Sequence, residues 1–238
     1  MIQVVCWLWD DPKYRWNKRF RYTYEHVNNL RAMVRRHLHI PHEFVCITDD
    51  PSGVDHDIRI IPLWDDLREL GGCYVRLKVF SETMRDIIGH RFVSMDLDAI
   101  ICKDITPLIS RQEPFIAIAN KLPGTYYCGS MFMMDAGARK EVWEKFDYTI
   151  AMEDKKKTKS VGTDQAWISY WLGKNESTWG RLDGVCMYYR LRRRETLPGH
   201  VKMVFFSGPY DPSQPHLQQN HPWIGEHWHS DLLSKEQP

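Results

Sequence analysis

Apolar and polar positions along this chain alternate between a strand-like and a helix-like period. Residues 2–9 are apolar nearly throughout, which predicts a first strand buried on both faces. Asp10-Asp11-Pro12 breaks it. After Thr23, placed to cap a helix, Tyr24, Val27, Leu30, Val34 and Leu38 recur at helical spacing and give one apolar face. Pro41 precedes a second strand, 43–48, closed by Asp49-Asp50; the turn Pro51-Ser52-Gly53 leads to a short third strand, 58–62. Gly71-Gly72 opens a helix over 74–88, with Leu77, Phe80, Met84 and Ile87 on one face and Gly89 at its end. A helical turn is expected over 104–108, strands over 114–119 and 127–134, and a helix from Asp135 to 146. Residues 155–159 read as a basic loop, 166–172 as a helix and 201–206 as a last strand. From Pro209 the chain is rich in Pro, His and Trp without a clear period, and reads as an ordered tail on the domain. Strands alternating with helices predict an α/β fold with a mostly parallel sheet, organised as a domain over 1–208 and a tail over 209–238.

One stretch stands apart. Within residues 91–101 a short apolar strand runs straight into Asp96 and Asp98, which at two-residue spacing would aim at one spot where the strand ends. A carboxylate between apolar runs is costly unless it is paired or binds a metal. Two oxygen ligands on one face suit a hard cation such as Mn²⁺ or Mg²⁺. Asp55 and Asp57 form a similar triplet, but they follow a turn and read as solvated residues.

Composition narrows the class. A chain of 238 residues can bury a sizeable core, and a net charge of +1 gives no global attraction to a polyanion. No apolar run is long enough to span a bilayer and no signal peptide is evident, so a cytoplasmic location is expected. The six cysteines are scattered, without a C-x-x-C, and most of them read as small core residues. No G-x-G-x-x-G and no P-loop lysine motif is present, which disfavours a nicotinamide-dependent enzyme or a P-loop protein.

The order of motifs carries more. Tyr74-Val75-Arg76-Leu77, a helix, an apolar strand into Asp96-Leu97-Asp98, and then Asp104-Ile105-Thr106-Pro107-Leu108 resemble the glycogenin-like, family 8 glycosyltransferases and their small bacterial and phage relatives. Cys128-Gly129-Ser130-Met131-Phe132-Met133 and Asp164-Gln165 extend the resemblance, which spans nearly the whole chain. It implies a GT-A fold and a metal-dependent, retaining transfer of a sugar from a nucleotide donor, most often a UDP-sugar, to a saccharide or glycolipid. By the same resemblance Asp96 and Asp98 would hold Mn²⁺ or Mg²⁺ against the donor diphosphate, and Arg76 would add a cation there. Asp164 and Gln165 would be the catalytic pair facing the sugar, with Asp164 also open to a helix-capping role beside Thr163. Trp7, Tyr14 and Asp49 would line the nucleoside site, and Ser130 the donor sugar. The family histidine before the last glycine is replaced by Phe206-Ser207-Gly208. Ser207 through water, or a tail histidine among His216, His221, His227 and His229, would then complete the metal site.

Two other readings follow from residues. Lys13 to Tyr22 mixes basic and aromatic side chains, and Arg190, Arg192, Arg193, Arg194 and the 155–159 lysines add positive charge. Such groups suit phosphates and exposed bases, so a modified DNA base is a possible acceptor. The missing histidine motivates a binding module that has lost catalysis.

Overall fold

Ile2–Leu8 forms β1, and its unbroken burial places it in the middle of a parallel array. Val4 and Cys6 point into one apolar cluster and Val5 and Trp7 into another, as the period of two requires when both faces are covered. β1 pairs in parallel with β2 (His42–Thr48) on one side and β4 (Arg91–Met95) on the other, and β3 (Arg59–Pro62) extends the array beyond β2. Past β4 the sense reverses. β7 (Thr125–Asp135) runs antiparallel to β4 and to β6 (Phe115–Leu122), and β8 (Ser177–Trp179) lies parallel to β6. The order is β3-β2-β1-β4-β7-β6-β8. A smaller sheet joins β5 (Ala99–Ile101) to β10 (Met203–Phe205), and β10 to β9 (Val185–Met187). This computed structural model describes residues 1–12, 22–122, 124–158 and 163–230. The α/β fold with a mostly parallel central sheet is the one expected.

The helices cover both faces. α1 (Tyr24–His37) packs Val27, Leu30, Met33 and Val34 into the first cluster. On the other face Phe80, Phe115 and Phe132 stack, with ring centroids 5.4 Å apart for Phe80 and Phe132 and 6.2 Å for Phe115 and Phe132. The remaining helices are α2 (Met84–Ile87), α3 (Thr106–Ile109), α4 (Glu141–Glu144), α5 (Tyr148–Thr158), α6 (Asp164–Leu172), α7 (Pro215–Asn220) and α8 (Pro222–His227). No helix among the described residues is long and apolar enough to cross a membrane.

Several expectations are corrected. Tyr24 belongs to α1 but is exposed; its ring closes over Gly53, where a Cβ would lie 2.6 Å from it. The helix expected over 74–88 is a 3-10 run, Gly72–Phe80, and then α2, because Ser81 takes an extended backbone (ψ 141°) between them. Asp135 caps no long helix: it pairs with Arg91, its neighbour across the β4–β7 ladder, and only α4 forms further on. The backbone of 155–158 belongs to α5 rather than to a loop, and Lys159 lies outside the described residues. The aperiodic tail contains α7 and α8, which bury Leu217, Trp223 and Ile224. β8 and β9, three residues each, gave no alternation to read.

Candidate active site

The apolar strand ends where expected, at the two carboxylates. β4 ends at Met95, Leu97 and Asp98 form a turn, and β5 departs into the second sheet. The Asp96 N–H donates to the Ser130 carbonyl (2.8 Å) and the Phe206 N–H donates to the Asp98 carbonyl (3.1 Å). The turn is thus pinned between β7 and the end of β10, at the carboxyl end of β4, where ligands collect in α/β sheets. It is this turn, not strand alternation, that brings both carboxylates to one place.

Arg76 ties the site together. Its position in the 3-10 run buries the side chain, with one Nη donating to Asp96 Oδ1 and the other to Asp164 Oδ2 at 2.6 Å. The Arg76 and Asp164 side chains are only 7% and 3% exposed. Burial disfavours the guanidinium charge, but Asp164 and Asp96 outweigh it and push the Arg76 pKa further up. Burial also raises the Asp164 pKa, against the opposing pull of Arg76. Thr163 takes the cap position of α6 and Asp164 its first turn, so Asp164 is free of the capping role weighed for it. Gly129 leaves the room this pair needs: a Cβ there would lie 2.9 Å from Arg76 Nη2 and 3.0 Å from Asp164 Oδ2. The Gly129 N–H donates to Gln165 Oε1 at 3.2 Å, which fixes that amide oxygen and leaves the NH₂ group as the donor.

Asp98 differs from Asp96. It is buried, its Oδ2 accepts a hydrogen bond from the Tyr22 hydroxyl at 3.0 Å, and its Oδ1 has no hydrogen-bond partner. Burial and then the charge of Asp96 push its pKa well above the usual carboxylate range. Behind Tyr22 stands His26, with ring centroids 5.2 Å apart. The Thr23 N–H donates to His26 Nδ1, so Nε2 carries the proton and donates to Asp211 Oδ1 at 3.2 Å. His26 thereby fills the place that Glu or Gln takes in a capping box. Asp211 is buried enough to raise its pKa, yet the bonds from His26 and Ser213 bring it below the ordinary value.

The donor set can be tested against a cation. Among the described residues no group of three or more His, Cys, Asp or Glu could hold a metal. Asp98 nonetheless presents a buried oxygen without a partner, beside a second carboxylate. That fits a hard cation that keeps waters and takes oxygens from a bound diphosphate, as Mg²⁺ does; it does not fit an ion that needs a complete protein cage.

The other expected residues divide. Trp7 is buried at the end of β1 in a cluster with Trp9 and Trp64, with ring centroids 6.5 and 6.4 Å away, and the Trp7 and Trp9 indole N–H groups lack partners. Asp49, at the end of β2, accepts from the Asp10 N–H at 3.1 Å. Ser130 is buried and receives a weak contact from Cys128 Sγ at 3.4 Å. Ser207 is exposed and adjoins Phe206, which holds the Asp98 carbonyl. Tyr14 lies outside the described residues. Three of the tail histidines make other contacts: His221 Nδ1 meets the Arg194 carbonyl at 3.1 Å, the His227 ring faces His37 at 6.3 Å, and His229 Nδ1 meets the Ser230 carbonyl at 3.4 Å. Tyr22, His26 and Asp211 escaped sequence reasoning as site residues. The available signal was Asp211-Pro212-Ser213, a turn sequence whose aspartate binds the Ser213 N–H at 2.8 Å.

No protein-family model matches the chain, and no curated protein matches it in sequence. Solved structures do match it in fold. The galactosyltransferase LgtC, solved with donor and acceptor sugar analogs, superposes with a TM-score of 0.57 at 13% identity, over 94% of this chain and 96% of that one. An active-site glutamine-to-glutamate variant of LgtC gives a TM-score of 0.56 at 13% identity and the same coverage. The glycosyltransferase GlyE of Streptococcus pneumoniae TIGR4 gives 0.60 at 11% identity, over 97% of this chain and 66% of GlyE. The chain has the GT-A fold of these glycosyltransferases.

Proposed function

We propose that this chain is a glycosyltransferase that moves a sugar from a nucleotide-sugar, most favourably a UDP-sugar, to a carbohydrate acceptor, with Mn²⁺ or Mg²⁺ held at Asp96 and Asp98. The observation that carries the reading is the buried, unpartnered Asp98 oxygen beside the Asp96–Arg76–Asp164 tie, at the carboxyl end of β4 in a GT-A fold. When bound, the cation neutralises charge on the departing diphosphate.

The chain's own groups prepare the site. Arg76 balances two carboxylates that would otherwise repel each other, and keeps Asp96 in place beside Asp98. Asp164 is buried and bonded to that guanidinium, so its role is to position Arg76 rather than to attack the sugar. Gln165, held through Gly129, offers its amide N–H groups to the sugar; the glutamine altered in the LgtC variant is an active-site residue of that protein. Trp7, with an unpartnered indole N–H at the end of β1, and Asp49 at the end of β2 would take the nucleoside. Retention of the anomeric configuration rests on the family resemblance.

A saccharide acceptor is favoured over a DNA base. The net charge of +1 gives no overall attraction to a polyanion, and Arg190 and Arg192 are exposed beside Tyr189 and Tyr210 as solvated surface charges. The test is release of free nucleotide from UDP-, GDP- and CMP-sugars, with and without Mn²⁺, for the wild type and Asp98→Ala. Metal-dependent turnover of one donor that the substitution abolishes is the expected result; no donor bound or turned over would overturn the reading.

A further inference from the structure

We propose that Tyr22 is a positioning residue for the cation site: its hydroxyl occupies Asp98 Oδ2 and so presents Oδ1 as the single ligand atom of that carboxylate. The inference rests on the cation reading above.

The geometry is specific to one oxygen. Tyr22 Oη donates to Oδ2 at 3.0 Å, while Oδ1 is enclosed and has no hydrogen-bond partner. A carboxylate held this way has one oxygen committed and one available. Hydrogen bonds behind a ligand commonly set its orientation in this manner.

Tyr22 is itself braced. Its ring meets the His26 ring edge-on, at 5.2 Å and 70°. His26 is held on three sides: Thr23 N–H donates to Nδ1 at 3.2 Å, Nε2 donates to Asp211 Oδ1 at 3.2 Å, and the Trp228 ring stands 5.4 Å away. Asp211 Oδ1 in turn accepts from the Ser213 N–H and hydroxyl at 2.8 and 2.5 Å. Asp211 and Trp228 both belong to the segment after β10 that shows no periodicity in sequence. That segment therefore contributes to the cation site without supplying a ligand, through His26 and Tyr22 to Asp98.

The experiment is an electron paramagnetic resonance titration of Mn²⁺, alone and with UDP, on wild type, Tyr22→Phe and Asp98→Asn. Tyr22→Phe removes one oxygen atom and keeps the ring on His26. The expected result is Mn²⁺ binding that Asp98→Asn abolishes and Tyr22→Phe weakens about tenfold or more, the range seen when such a supporting bond is lost. Tyr22→Phe should still melt in one cooperative transition in EDTA, well above the temperature of the titration, which separates positioning from a folding defect. Unchanged or tighter Mn²⁺ binding in Tyr22→Phe would overturn the proposal while leaving the cation site standing. Absence of Mn²⁺ binding in the wild type, or binding indifferent to Asp98→Asn, would overturn the cation reading and this inference with it.

Discussion

Gly129→Ala tests the tie between Arg76 and Asp164 without touching either charge. The new Cβ would sit 2.9 Å from Arg76 Nη2, 3.0 Å from Asp164 Oδ2 and 3.4 Å from Oδ1. The ion pair is 2.6 Å long and both side chains are almost wholly buried, so neither can swing into solvent. Gly129 lies in β7 just beyond its ladder with β4, where the pairing with β6 shifts register, but its N–H is held by Gln165 and the following carbonyl by the Asp96 N–H, so the backbone has little freedom to retreat. Forcing extra bulk into such a site costs about 1–3 kcal/mol, and losing a buried pair outright about 3–5 kcal/mol. An intermediate loss of about 2–3 kcal/mol is expected, and for a chain of this size it lowers the melting temperature by about 4–12 °C. Nucleotide release should fall about a hundredfold, because displacement of positioning groups by about 1 Å has that effect. Gly199→Ala serves as control, since a Cβ there meets nothing within 4 Å. Urea denaturation and a nucleotide-release assay on the two variants would decide. Equal stability and equal turnover in Gly129→Ala and Gly199→Ala would refute the packing described for this pair.

Other perturbations have definite signs. In the absence of metal, Asp98→Asn should stabilise the protein at neutral pH: Asp98 has a raised pKa when folded, so stability falls as pH rises from about 4 towards that value, and thermal melts across this window should show the slope flattened in the variant. His37 and His227 face each other beside Arg36, which donates to the His227 carbonyl at 2.7 Å, and burial first, then Arg36 and neighbouring histidines, lowers the pKa of His37. The His227 pKa is lowered as well, chiefly by burial, so stability should fall as pH drops from about 6.5 through both lowered values; His227→Gln should reduce that loss in melts at pH 5 and 8. Phe132→Ala, which removes the ring that Phe80 and Phe115 stack on and Phe92 meets edge-on, should cost about 3–5 kcal/mol by urea denaturation.

Much of the sheet was legible because β1, β2 and β4 are buried on both faces and read as apolar runs, and α1 carries a clear 3.6 period behind Thr23. Asp96, Asp98, Arg76 and Asp164 were legible as residues through their motifs, and the structure brings all four together. Their pairing was not: which carboxylate meets the guanidinium depends on a turn after Met95 and a 3-10 run before Ser81, and neither leaves a periodic trace. Tyr22, His26 and Asp211 were hidden for a different reason. They lie 185 residues apart in the case of His26 and Asp211, and long-range polar contacts of that kind have no local sequence pattern.

The most direct measurement is a crystal structure of the protein grown with Mn²⁺ and UDP, with the metal located by anomalous scattering. The expected result is one Mn²⁺ peak at Asp96 and Asp98, bonded to Asp98 Oδ1, with the diphosphate against it and the uracil near Trp7 and Asp49. UDP bound elsewhere, or a metal peak remote from Asp96 and Asp98, would contradict the assignment of this turn as the donor site.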